Sequence, residues 1–127
     1  MSGVKDQKPH RNLVAWQKGM DLVIGVYKIT QDFPDRELYG LSSQLRRAAI
    51  SVPSNIAEGA SGRTPSQFAN YLSNAVGSLN ELDTQMELSY RLGYLSEERY
   101  NQIAKLMDEC LALTYELKKC IIKQKRQ

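Results

Sequence analysis

Four runs of apolar residues recur at alternating three- and four-residue steps, and only a few residues separate the first from the second and the third from the fourth. That spacing lays each run along one face of a helix. Turns that short make consecutive helices lie side by side and antiparallel. The sequence therefore predicts an all-α fold, an antiparallel up-down-up-down four-helix bundle, with no strand pattern or internal repeat competing. In a chain of 127 residues four such helices use nearly all the length, so one domain is expected. We place the bundle at 13–123, between a disordered N-terminal arm at 1–12 and a basic C-terminal tail at 124–127.

Leu13, Trp16, Met20, Val23 and Tyr27 predict a first helix from about Leu13 to Asp32. Pro34 disfavours helical geometry at Phe33 and ends it, while Asp35 is placed to cap a second helix starting near Arg36 to Leu38. The second stripe runs Leu38, Leu41, Leu45, Ala48, Val52 and Asn55, with Ile56 beside it, until Gly59 and Gly62 end the pattern. Two residues in it are unusual. Pro53 lacks an N–H and releases the carbonyl of Ala49, so the second helix is expected to be kinked, and Asn55 puts a polar group on an apolar stripe, where it needs a partner.

Thr64, Pro65 and Gln67 read as a capping box opening the third helix. Its seam is Phe68, Leu72, Ala75, Leu79, Leu82, Met86 and Ser89, and Gly93 stops it. Ser96 caps a fourth helix whose seam is Tyr100, Ile103, Met107, Cys110, Thr114, Leu117 and Ile121. Leu106, Leu113 and Cys120 widen that seam, which fits either a well-buried helix or one that also meets another subunit.

The net charge is +3, too mild to assign a partner by itself. Its distribution is more informative. Lys118, Lys119, Lys123, Lys125 and Arg126 follow the last acid, Glu116, and Lys5, Lys8 and Arg11 sit in the arm. These are the strongest candidates for nucleic-acid phosphates, against a plain role in solubility and in complementing the helix dipole. Arg46 joins them as a side chain free for solvent or ligand. Arg47, by contrast, begins a polar line through Ser51, Asn55 and Glu58 at helical spacing, which reads as a structural ion pair.

Catalysis and metal binding find little support. His10 is the single histidine, and Cys110 and Cys120, roughly 15 Å apart along one helix, are too distant to form a disulfide with each other. No Cys/His cluster for zinc, no Glu-x-x-His pair for a di-metal bundle site, and no nucleophile-base or glycine-rich phosphate motif is present. The expectation is no enzyme, no metal and no cofactor. The N-terminal segment has no apolar run that would make a signal peptide or membrane anchor, so a cytoplasmic protein is expected.

Several ordered motifs carry a resemblance: Val14-Ala-Trp-Gln-Lys18, Phe33-Pro34 with Tyr39-Gly40-Leu41, Gln44-Leu-Arg-Arg-Ala48, Ser51-Val-Pro-Ser-Asn-Ile-Ala-Glu-Gly59 and Gly77-Ser-Leu-Asn-Glu81. From about Leu13 to Ile121 the chain resembles the bacterial S23, or 23S rRNA intervening-sequence, four-helix bundle proteins. The resemblance implies a homopentameric ring and a relation to the accessory variability proteins of diversity-generating retroelements, which work beside a reverse transcriptase and bind nucleic acid. The implied partners are further copies of the chain and RNA or a nucleic-acid-processing protein, with no membrane. A protein-interaction scaffold is the alternative. Within the motifs, Pro53, Asn55, Glu58 and Gly59 read as structural or assembly residues, and Gly77, beside Ser78, as a point of close helix approach. Glu81 is expected to pair with an arginine across the bundle.

Overall fold

The computed structural model describes residues 8–125 and has four long helices: α1 (Val14–Thr30), α2 (Leu41–Gly59), α3 (Pro65–Arg91) and α4 (Glu97–Lys125). α1 packs on α2, α2 on α3, α3 on α4, and α4 returns to α1. The fold is the all-α four-helix bundle that the spacing predicts. Leu22, Val26, Leu45, Val52, Ile56, Leu72, Leu82 and Met86 are completely buried on its axis. Each such side chain contributes about 1.5–3 kcal/mol by leaving water.

The caps of the second half follow the sequence closely. Thr64 Oγ1 accepts from the Gln67 N–H at 3.2 Å, and Gln67 returns a bond to the Thr64 N–H at 3.1 Å. Gly93 takes a φ of +80°, which only glycine adopts without strain, and Ser96 Oγ accepts from the Arg99 N–H. The seams of α3 and α4 are buried nearly as expected, with Gln85 added to the first.

The first half differs. The face of α1 that enters the core is Ala15, Gly19, Leu22, Val26 and Ile29, while Met20 and Tyr27 of the expected stripe are exposed. Apolar residues surround α1, so periodicity does not choose a face, whereas close packing does. Gly19 lies against Pro53, where an added Cβ would stand 3.3 Å from the Pro53 Cβ. α2 also begins later than expected. Asp35–Glu37 is a separate 3-10 turn, Asp35 caps no helix, and Leu38 is half-exposed. The Glu37 carboxylate instead accepts from the Leu41 N–H, satisfying one of the first amides of α2. α2 then runs without interruption through Pro53.

Two segments expected outside the bundle are helical. Pro9–Asn12, expected in a disordered arm, forms a 3-10 turn in which His10 meets the Trp16 ring edge-on and the Arg11 guanidinium covers it at 5.4 Å. The aromatic anchor supplies the contact that holds it. Gln124 and Lys125, expected in the tail, belong to α4, whose closing lysines suit both helix propensity and the dipole.

Candidate nucleic-acid interface

An even number of antiparallel helices brings the start of α1 and the end of α4 to the same end of the bundle. Leu13, Val14 and Ala15 accordingly share a cleft with Leu113, Glu116, Leu117 and Cys120. Lys8 and Arg11 therefore come to the end of the bundle that carries Lys118, Lys119 and Lys123, although a hundred residues separate them in the chain. Lys8, Lys119 and Lys123 are exposed and Lys118 is half-exposed. Among the described residues the nearby acids are Glu116 and Glu58, the latter already in an ion pair with Arg63. Lys125 continues α4 in the same direction, while Lys5 and Arg126 lie outside the described residues.

His10 belongs to this end too. Partial burial, then the charges of Arg11 and Lys8, hold its pKa below the usual imidazole value. The opposite end is acidic and tightly bonded. Arg99 Nη1 donates to Asp32 at 2.9 Å, and the Tyr94 hydroxyl donates to Glu37 at 2.7 Å. Glu87 accepts from Arg91 and from the Tyr100 hydroxyl, both at 2.9 Å, rather than facing solvent alone. The hydrogen bond from Tyr94, then that from the Leu41 amide, lowers the Glu37 pKa; Arg91, then Tyr100, lowers that of Glu87. Among the described residues the long axis of the bundle is thus electrically polarised, with Lys8, Lys118, Lys119 and Lys123 at one end in no ion pair.

The two adjacent arginines exchange the roles expected of them. Arg46 is not free: its Nε donates to Thr30 Oγ1 at 2.9 Å and its guanidinium lies 4.8 Å from the centre of the Tyr27 ring, tying α2 to α1. Arg47 is exposed and makes no ion pair with the described residues; Glu58, three turns further along α2, lies roughly 16 Å away and pairs with Arg63. It faces a polar cleft of about 400 Å³ between α2 and α3, lined by Gln44, Ser51, Ser78 and Glu81. Glu81 meets no arginine there and accepts instead from Gln85 Nε2 at 3.3 Å.

Asn55 has the partner its position demands, but it is not the carbonyl released by Pro53. Its Nδ2 donates to the Ser51 carbonyl at 2.8 Å and to Ser51 Oγ at 2.9 Å, and Ser51 Oγ bonds Ser78 Oγ across to α3 at 2.8 Å. Gly59 is a true contact glycine, since a Cβ there would lie 2.8 Å from both Phe68 Cδ1 and Tyr71 Cβ. Gly77, expected at a close helix approach, is exposed with nothing within 4 Å of where its Cβ would be. Apolar surface is left uncovered in the cleft between α1 and α2, lined by Trp16, Met20, Val23, Ile50, Pro53, Ser54 and Ala57, and Leu106, Leu113 and Cys120 of the widened α4 seam line further clefts against α1.

Among the described residues no group of three or more His, Cys, Asp or Glu side chains could hold a metal, and no helix is long and apolar enough to cross a membrane. Cys110 is buried and its thiol is pushed up to about 11, chiefly by that burial, while Cys120 is exposed. The class defined by fold and surface is a small antiparallel helical bundle with a polarised long axis. The family model described as 23S rRNA-intervening sequence protein matches residues 11–116, and the chain belongs to that family. A crystal structure of a protein of unknown function from the S23 ribosomal protein family of Bacteroides thetaiotaomicron is similar, with a TM-score of 0.77 and 23% identity over 84% of this chain and 99% of the other. At that identity the likeness concerns the fold. No curated protein matches the chain.

Proposed function

We propose that the protein is a non-enzymatic, cytoplasmic, homo-oligomeric bundle that binds nucleic acid, RNA in particular, through its basic end. The observation that carries this reading is the convergence of Lys8 and Arg11 with Lys118, Lys119 and Lys123 at one end, beside few acids. A pentameric ring, which the family resemblance implies, would repeat that end around its axis and turn a small monomer charge into a broad cationic face. The exposed Arg47 extends the set of cations, whereas Arg46 is committed to Thr30 and Tyr27.

Salt dependence tests it. Labelled single-stranded RNA, followed by fluorescence anisotropy over a salt series, should bind with a logarithmic slope that decreases by roughly 0.7 for each phosphate contact removed. Lys119→Gln with Lys123→Gln should therefore flatten the slope by about 1.4, while Arg36→Gln at the acidic end should leave it unchanged. Binding that ignores salt, or that survives both lysine replacements with the same slope, refutes the assignment. The second reading is a protein-interaction scaffold, favoured by the apolar cleft between α1 and α2, and it predicts no retention of RNA.

A further inference from the structure

The polar cleft of about 400 Å³ has two facing walls, Gln44, Arg47 and Ser51 on α2 and Ser78 and Glu81 on α3. Steps of three and four residues keep each row on one helix face. Arg47 and Glu81 bring opposite charges into the same space, yet neither pairs with the other or with another described charge. Behind them the buried Gln85 amide fixes the α3 wall. Its Nε2 donates to Glu81 Oε1 at 3.3 Å and lies 3.5 Å from Gln44 Oε1, while its own Oε1 is buried without a partner. An orphaned buried acceptor is destabilising, and what accompanies it here is a carboxylate held in place at the cleft.

The serine protons are already spent. Ser78 Oγ donates to the Asn74 carbonyl at 3.1 Å, so the proton between the two hydroxyls comes from Ser51, whose oxygen accepts from Asn55 Nδ2. Each hydroxyl keeps one lone pair and no free proton. The α3 wall therefore offers acceptors only, whereas α2 offers the planar donor fork of Arg47, with the Gln44 amide able to serve in either sense. A phosphate would meet the Glu81 carboxylate and two hydroxyls without a proton to give. The ligand that matches these walls is neutral, with N–H donors along one edge and a pair of acceptors along the next.

Among the nucleobases guanine has that pattern. Its N1–H and N2–H suit the two oxygens of a carboxylate, and its O6 and N7 suit a guanidinium fork. Adenine sets a donor beside N7, and uracil has a single N–H. We propose that the cleft takes one unstacked guanine base of single-stranded RNA, with Glu81 accepting from N1–H and N2–H and Arg47 donating to O6 and N7. Bases of single strands are read in this way along both edges. The inference rests on the RNA reading and deepens it: the basic end holds the phosphates, and the cleft selects a base.

The test is fluorescence anisotropy of the full chain with oligouridine carrying one central guanosine, inosine, 7-deazaguanosine or adenosine, over a salt series. Inosine lacks the N2 amine and 7-deazaguanosine lacks N7, so each removes one bond at one wall. The parent should bind the guanosine oligomer about tenfold more tightly than either analogue, since each lost bond involves a charged partner. The adenosine oligomer should be weaker still. Glu81→Gln should no longer distinguish guanosine from inosine, and Arg47→Lys, which keeps the charge but loses the fork, should no longer distinguish guanosine from 7-deazaguanosine. Both residues are exposed, and circular dichroism checks that each variant is folded. Equal affinity for all four oligomers with an intact salt slope overturns the guanine site and leaves the RNA reading standing. A preference that persists in the variant meant to remove it also overturns the site, because the base is then read elsewhere. If no oligomer binds, both the site and the RNA reading fall.

Discussion

One substitution, glycine to alanine, should have opposite effects at two helical positions of this protein. At Gly77 the added methyl meets nothing within 4 Å and the residue is exposed in the middle of α3. Alanine there gains only helix propensity and loss of unfolded-chain freedom, about 1 kcal/mol. At Gly59 the same methyl would lie 2.8 Å from Tyr71 Cβ, next to the α3 backbone, and 2.8 Å from Phe68 Cδ1. The Phe68 ring can turn aside, but Tyr71 Cβ moves only if the helices part. Overpacking of that kind costs about 1–3 kcal/mol, and a propensity gain of at most ~1 kcal/mol at the end of α2 leaves a net loss of roughly 1–2 kcal/mol. For a chain of this length the unfolding entropy converts 1 kcal/mol into about 4 °C. Gly77→Ala should therefore raise the melting temperature by about 4 °C and Gly59→Ala should lower it by about 4–8 °C. The assay is thermal unfolding by circular dichroism at matched protein concentration, since assembly would couple concentration to stability. A Gly59→Ala variant as stable as the parent would mean that α2 and α3 have slack at that contact. A destabilised Gly77→Ala would mean that a surface outside the protomer fits against the bare backbone.

Arg46→Ala should destabilise the bundle by about 1–2 kcal/mol, from one half-buried hydrogen bond and one cation-π contact, while Arg47→Ala should change stability by less than about 0.5 kcal/mol. Equal melting shifts would contradict the exchange of roles between them. Acid should loosen the end held by Glu37 and Glu87 first. Both carboxyls titrate below their ordinary value in the folded protein, so the stability they supply is present above the unfolded pKa and is lost as the pH falls through the depressed values. Melting followed between about pH 6 and pH 3 should show that loss, with a shallower dependence in Glu37→Gln; an unchanged slope would show that Glu37 carries no linkage.

The parts of the fold legible in the sequence are those where one stripe and one cap agree. α3 has Thr64 and Gln67 at its start, Gly93 past its end and a single apolar seam between, and the structure follows that pattern. In α1 the apolar stripe lies about one residue of rotation from the face that is buried, because the helix is apolar on several sides. What selects its buried face is the fit of Gly19 to Pro53, a tertiary contact between segments more than thirty residues apart. The same rotational uncertainty reversed the two arginines. Neighbouring residues on a helix point about 100° apart, so a small turn of α2 decides which reaches Thr30 and which opens on the cleft with Glu81. Gly59 and Gly77 look alike as helical glycines in a motif, and only the position of α3 separates a contact from an open surface.

The candidate site depends on topology more than on any motif. An odd number of helices would have left Lys8 and Arg11 at the opposite end from Lys119 and Lys123. The antiparallel four-helix path puts them together and leaves Asp32, Glu37 and Glu87 at the far end, bonded to Arg99, Tyr94 and Arg91. In such a molecule the direction of assembly decides whether the charge accumulates. Copies related by rotation about an axis running broadly along the helices keep all their basic ends on one side, and phosphate contacts then add in a single surface. Copies related by an axis across the helices would alternate basic and acidic ends and cancel the effect.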